Sequence, residues 1–395
     1  MPLVAVFVAG CSFVDTIDPR YDTINRSTTK ARNESILLNI VRASQNVPLN
    51  FITFSRVSGS TQANLGMAAP TFVLGANPPP ATIQRDATIS NSTLNTSVLA
   101  ASSFDITVLE SRDFYTALLS PVDLPTLNFF VRQGYSRDLL FWLFTDSVRE
   151  TIGGTTVEYR NAPDPQCPVF QGTQRCFEKM VDDALATGLT VETLTEQHLP
   201  TPGPGMLGAP GGTGPPGMSP LQRPINIVYS RLCFDPVLAT RSLAEYPPDI
   251  QSSLRWPGQH QPRCGNWKPD KKKLGGDTLT FEWVGTPYGT IKYEIITRST
   301  FGIYQFLGRI LSRGLTNAVR VRGPRDGSED TRILAVAQDR SDGCFVEINY
   351  EGEMFCVPQK SAESTKRIFS ILVQLLALKT QVGDLAITPT VRVAP

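Results

Sequence analysis

Charge is scarce in this 395-residue chain: Asp, Glu, Lys and Arg make up 18% of it, against about a quarter in ordinary soluble domains. The 41% apolar content is nevertheless ample for a buried core, which excludes disorder of the whole chain. Its 37 basic and 36 acidic residues leave a formal charge of +1. No net field gathers DNA, RNA or anionic membrane over the whole surface, and no nucleic-acid partner is expected. Long apolar runs are also missing. Asp138–Phe144, DLLFWLF, falls far short of the roughly 20 residues a membrane helix needs, so it reads as core.

Histidine is scarcer still. Any Ser-His-Asp, Cys-His or HExxH scheme would have to use His198 or His260. His198 adjoins a Pro/Gly-rich segment and His260 lies in a polar stretch, placements that suit neither a strand-end nor a helix-face site. No G-x-S-x-G, Walker or dinucleotide glycine pattern occurs. Ser27-Thr28-Thr29-Lys30 formally matches S-x-x-K, but no K-T-G follows it. Asp182-Asp183 falls in an expected helix, where adjacent residues diverge, and reads as a solvated face. No cysteine pair has C-x₂₋₄-C spacing, which disfavours zinc. No cofactor is expected, and the missing catalytic set argues against an enzyme.

Two features stand out against these absences. The first is the start, MPLVAVFVAG, an apolar run that meets Cys11. The positions Val8-Ala9-Gly10-Cys11 resemble the lipobox of bacterial lipoproteins. The resemblance implies a signal peptide over residues 1–10, diacylglycerol on the Cys11 sulfur and a further acyl chain on its amine after cleavage. Several chains suffice for stable membrane anchoring. Ser12, where the family's inner-membrane members tend to carry Asp, implies the outer membrane. No Lys or Arg precedes the apolar run, which departs from the pattern and implies a start upstream. The alternative is that VAVFV forms a buried first strand. In the lipoprotein reading, residues 11–32 are a lipidated, polar tether.

The second feature is cysteine usage. Cys11 apart, the chain has six: Cys167, Cys176, Cys233, Cys264, Cys344 and Cys356. Six cysteines allow 15 connectivities. Neighbours in sequence give Cys167 with Cys176, Cys233 with Cys264, and Cys344 with Cys356, all permitted in an oxidising periplasm. The last pair needs a bulge or a longer turn, because a two-residue turn at Glu351-Gly352 sets Cys356 opposite Glu347. Six buried thiols in a cytosolic protein are the alternative.

The fold class expected is α+β, with antiparallel sheets, packed helices and two subdomains. A helix is predicted over Asn33–Ser44 with Asn33 as its cap, then a strand from Phe51, then a Ser/Thr/Asn-rich surface excursion to about Ser103. Short helices follow at 111–119, 124–133 and 138–144, a hairpin around Gly153-Gly154, and a helix over 176–189. Residues 199–224 carry Gly at 205, 208, 211, 214 and 217, the collagen period, but five triplets are too few for a triple helix. They read as a Pro/Gly-rich linker or exposed loop between α+β domains at 33–198 and 225–395. In the second domain a strand at 225–232, a helix at 236–246 and a hairpin at 279–297 are expected. A helix capped by Ser299 or Thr300 follows, then a meander of 333–337, 345–350 and 354–357, the longest helix from Ser361, and a last strand at 390–393.

One patch has recognition chemistry. Between Arg255 and Lys273, Trp256 and Trp267 are interleaved with Arg255, Arg263, Lys268, Lys271, Lys272 and Lys273. Aromatic faces beside cations suit sugar rings, anionic glycans or a protein partner; a solvated lysine run beside half-buried tryptophans is the plain alternative. Together these readings point to a non-enzymatic outer-membrane lipoprotein with other envelope proteins as partners. An envelope glycan- or peptidoglycan-binding protein or hydrolase is the alternative.

Overall fold

The computed structural model describes residues 17–64, 97–163, 167–170, 173–198, 225–244, 262–266, 268–269, 276–286, 289–317, 319–321, 332–338, 343–380 and 392–393. In chain order come helix Ile17–Ser44 (α1), strands Ile52–Asn64 (β1) and Ser97–Val108 (β2), and helices Arg112–Leu119 (α2), Leu124–Arg132 (α3) and Arg137–Phe144 (α4). Strands Thr145–Ile152 (β3), Thr155–Arg160 (β4), Val169–Phe170 (β5) and Thr173–Gln174 (β6) lead to helix Phe177–Ala186 (α5). Strands Leu189–His198 (β7) and Ile225–Phe234 (β8) precede helix Pro236–Leu243 (α6) and strands Gly276–Thr278 (β9), Thr280–Thr286 (β10) and Gly289–Thr297 (β11). Helix Thr300–Ser312 (α7), hairpin Cys344–Tyr350 (β12) and Glu353–Pro358 (β13), helix Glu363–Lys379 (α8) and strand Arg392–Val393 (β14) complete the set. The fold is α+β, built of antiparallel sheets and packed helices. Among the described residues, no helix is long and apolar enough to cross a membrane.

Two compact units divide these residues. The smaller holds the described parts of 17–28, 51–109 and 392–393; the larger holds those of 29–50 and 110–380.

The smaller unit is dominated by β1 and β2, antiparallel over twelve register pairs from Ile52↔Val108 to Asn64↔Ser97, with a bulge between Phe54 and Arg56. β14 adds to β2 at Asp105 and Phe104 only. The two ends of the expected surface excursion are therefore paired strands. Ser, Thr, Gly and Ala dilute the apolar alternation there without preventing the ladder. Residues 65–96 lie outside the described residues.

The helix expected from Asn33 begins earlier, because α1 starts at Ile17 and Asn33 sits inside it. Residues 17–32 are mostly polar, with Ile17, Tyr21 and Ile24 as their large apolar residues. Ion pairs spaced i,i+4, Arg26 with Asp22 at 3.5 Å and Lys30 with Glu34 at 3.7 Å, support the helix instead. Extending a helix from its apolar half, where Leu37, Ile40 and Val41 are buried, is far easier than nucleating one. At 28 residues α1 is the longest described helix, and α8, expected to be longest, has 17.

In the larger unit the helix starts follow local chemistry. Side chains of Ser111, Asp123, Ser136, Asp235 and Ser299 each accept a first-turn N–H, and prolines stand at the starts of α3 and α6. Leu139 to Phe144 of α4 are all buried, with Ile303, Phe306, Leu307 and Ile310 of α7 and Ile368, Phe369 and Leu372 of α8. One antiparallel sheet has the order β10-β11-β3-β4. The turn inside β3–β4 is made by Gly153 and Gly154, with φ of +55° and +85°.

A second sheet has the order β7-β8-β9, with β9 parallel to β8. β7 and β8 pair from Leu189↔Phe234 to His198↔Ile225, so residues 199–224, outside the described set, connect neighbouring strands of one sheet. β12 and β13 form a hairpin in which Glu347 faces Cys356 and a bulge separates Cys344 from Val346. The expected third strand at 333–337 is absent. Only Ala337 bridges, to Cys356, because the Ala335 N–H is taken by Thr365 Oγ1 at 2.8 Å.

Candidate functional site

The six cysteines stand in three bonded pairs: Cys167–Cys176, Cys233–Cys264 and Cys344–Cys356. The bulge before Val346 brings the Cys344 Cα to 5.5 Å from that of Cys356, although the two are not register partners. Cys11 lies outside the described residues.

Of the basic aromatic patch, Arg263 and Lys268 are described, and both are exposed. Arg255, Trp256, Trp267, Lys271, Lys272 and Lys273 lie outside the described residues. What the structure adds is the anchor at the base of this loop. The Cys264 N–H donates to the Phe234 oxygen at 3.2 Å, and the Phe234 N–H to Pro262 at 2.9 Å. The Glu192 carboxylate accepts from Arg231 Nε at 2.5 Å and from the Gly265 N–H at 2.6 Å, while Arg231 also donates to the Arg263 oxygen at 2.8 Å. Glu192, Cys233 and Cys264 place ligand-type atoms within 4.8 Å of one another. Zinc binds thiolates, and the sulfur–sulfur bond leaves neither cysteine as one.

The most concentrated buried polar chemistry lies elsewhere, on β3. Val148, Glu150 and Ile152 occupy one face of that strand, and Glu150 is 1% exposed. Its carboxylate accepts from the Tyr159 phenol at 2.7 Å on one oxygen and from the Tyr293 phenol at 2.7 Å on the other. Arg175 Nη1 stands 3.5 Å away and neutralises it. Both phenols are pushed above their usual range, first by burial and then by the adjacent carboxylate. They remain donors at any ordinary pH. A cavity of about 30 Å³ adjoins the group, lined by Arg175, Tyr293 and Asp183 among apolar side chains. It has room for water rather than for a substrate. Asp183, expected on a solvated face, is buried and paired with Lys179.

A second buried charge fixes the end of α4. Arg298, 3% exposed, donates from Nη1 to the oxygens of Trp142 and Leu143, each at 3.1 Å, and from Nη2 to Asn161 at 2.5 Å. Its guanidinium lies 3.8 Å from the centroid of the Phe306 ring. Burial brings its pKa down to about 9, opposed by Asp146 at 3.3 Å. A cation on carbonyls at a helix C-terminus also complements the helix dipole. These contacts describe a structural role.

A polar groove of about 600 Å³ is lined by Glu158, Arg160, Arg309 and Arg313, with Cys167 and Pro168 at one side. Three guanidinium groups in one groove suit carboxylate or phosphate oxygens.

No protein-family model, curated protein or solved structure matches this chain. The site must be read from its own geometry. Sequence reasoning missed the Glu150 group and the arginine groove. A charged residue between Val148 and Ile152 on the apolar face of a predicted strand was the available signal for the first. The groove joins β4 to α7, and no local pattern announces that.

Proposed function

We propose that this chain is a non-enzymatic lipoprotein of a Gram-negative outer membrane, with its body in the periplasm, and that it acts as an assembly or interaction component of an envelope complex. The observation that carries this reading is the cysteine pairing. Six of seven cysteines are taken up in pairs, and the seventh, Cys11, directly follows an apolar run ending in Ala9-Gly10. Disulfides belong to oxidising compartments, and a seventh cysteine at that position suits lipid attachment. The buried polar groups support the same direction, since Glu150 and Arg298 hold strands and helix ends rather than facing a substrate-sized space.

The test is intact mass of the protein expressed in a Gram-negative host, beside Cys11→Ala, before and after reduction with alkylation. Removal of residues 1–10, added acyl mass and six protected cysteines are expected. An unprocessed chain with six free thiols overturns the proposal.

A second reading, an envelope protein that binds glycan or peptidoglycan, is favoured by the groove of Arg160, Arg309 and Arg313 and by the disulfide-anchored base of the Arg255–Lys273 patch. Binding of peptidoglycan fragments that is lost in folded Trp267→Ala supports it. No binding by the wild type removes it.

A further inference from the structure

The groove between β4 and α7 gathers basic groups from two elements. Arg160 is the last residue of β4, in register with Ser147, while Arg309 stands in the last turn of α7 and Arg313 at its C-cap, four residues on. Residues four apart share a helix face, where like charges repel. Cations at a helix C-terminus are ordinary, because they complement the helix dipole. That account covers Arg309 and Arg313 but leaves out Arg160, which comes from a strand and lines the same space.

The charges in the groove do not balance. Among the described residues that line it, Glu158 is the one carboxylate, 3.6 Å from Arg160. Three guanidinium groups against that carboxylate leave an excess of two positive charges. Arg309 has no acidic partner among the described residues. Its charge reaches inward as well: the pKa of Arg298 is lowered first by burial and then by repulsion from Arg309.

The rest of the lining is uncharged, formed by Ala162, Pro163, Cys167 and Pro168. This wall is held in place. Cys167 is bonded to Cys176 at the start of α5, and the Pro168 oxygen accepts the Arg175 N–H at 3.1 Å. At about 600 Å³ the groove has the size of a small-molecule site and exceeds what a bare phosphate ion fills.

A ligand that matches this surface has two negative charges at one end and an uncharged body. A carboxylate brings one charge. A phosphate monoester carries about 1.5–2 negative charges near pH 7 and three acceptor oxygens, which guanidinium forks hold in pairs. Glu158 would repel that phosphate but can accept from hydroxyl groups beside it. A sugar supplies those hydroxyls, together with a C–H face for the proline and disulfide wall.

We propose that the groove between β4 and α7 binds a phosphorylated sugar, with its phosphate monoester on Arg160, Arg309 and Arg313 and its ring along Pro163, Cys167 and Pro168. This inference rests on the glycan reading above and names the group that the groove holds.

The full-length oxidised protein is titrated calorimetrically with N-acetylglucosamine 1-phosphate, N-acetylglucosamine, glucuronic acid and inorganic phosphate. The phosphosugar should bind about tenfold or more tighter than glucuronic acid or inorganic phosphate, the unphosphorylated sugar should show no binding, and added salt should weaken the complex. Arg160→Gln and Arg309→Gln, both at exposed residues, should each weaken it about tenfold, the scale of one hydrogen bond to a charged group, with urea midpoints unchanged. Competition by phosphatidylethanolamine vesicles bearing lipid A, and not by phosphatidylethanolamine alone, assigns the phosphosugar to a lipid headgroup; phosphosugar binding without such competition assigns a soluble ligand. No phosphosugar binding, or an affinity untouched when both arginines are replaced, overturns the proposal. Peptidoglycan fragments that bind the wild type and the double variant alike keep the glycan reading without this site, and a wild type that binds none of these ligands overturns both.

Discussion

Gly308 of α7 lies against Ala43 of α1 with no room for a side chain: a Cβ on Gly308 would stand 2.6 Å from the Ala43 Cβ and 2.7 Å from its carbonyl carbon. Backbone is part of the obstacle, so a rotamer change cannot relieve it. Gly308→Ala gains up to about 1 kcal/mol of helix propensity, yet overpacking of this kind costs about 1–3 kcal/mol or more. A net loss of stability is expected, read as a lower urea midpoint with unchanged slope. A midpoint equal to or above the wild type would show that α1 and α7 can separate without cost.

Arg298 serves three buried main-chain oxygens. Arg298→Met keeps the bulk and removes the donors. A loss of about 3–5 kcal/mol is expected, the range for breaking a buried charged network. Arg298→Lys should recover little, since a point charge lacks the planar fork. Thermal unfolding of the two variants checks this, and a Lys variant close to wild type would count against the role of the fork.

Glu150 and its two tyrosines should behave as one unit. Glu150→Leu removes the carboxylate that both buried phenols donate to, at a cost of about 1–3 kcal/mol for each. Adding Tyr159→Phe and Tyr293→Phe removes the orphaned hydroxyls, and the triple variant should be more stable than Glu150→Leu alone. Additive losses in a mutant cycle would deny the coupling.

Asp277 gives a pH dependence. Its carboxyl accepts the Leu124 N–H at 2.7 Å. Its pKa is nevertheless raised, because partial desolvation of the carboxyl outweighs that hydrogen bond and Asp123 adds repulsion, although the residue as a whole is exposed. The folded chain therefore holds a proton that the unfolded chain has already released. Stability from this group is present below about pH 4 and is lost as pH rises through the raised value. Asp277→Asn should gain on the wild type as pH rises above about 4, as measured by urea midpoints from acid to neutral pH. A constant difference would show that the group does not titrate abnormally.

What was legible in the sequence was local. Ser111, Asp123 and Ser136 mark the starts of α2, α3 and α4 because a cap acts within three residues. Glu351-Gly352 sets the β12–β13 register, and with it the need for the bulge that Cys344–Cys356 requires. What stayed hidden was non-local or unpatterned. The first half of α1 is mostly polar, with Ile17, Tyr21 and Ile24 as its large apolar residues, and β1 pairs with a strand more than thirty residues beyond its end, in chain weak in apolar alternation. Glu150 meets Tyr159, Arg175 and Tyr293 only after β3 pairs on both sides, and Arg298 reaches Trp142 from 156 residues away.

His198 and Ile225 end their strands as direct partners, so the Pro/Gly-rich stretch between them leaves and rejoins the sheet at adjacent points. Its two ends are held together whatever it contains. Changing its length costs only loop-closure entropy, which grows slowly, by about 0.6 kcal/mol per doubling. This makes it a natural port in the molecule, where an epitope, a fluorophore or new chain ends can be introduced while β7 and β8 keep their register.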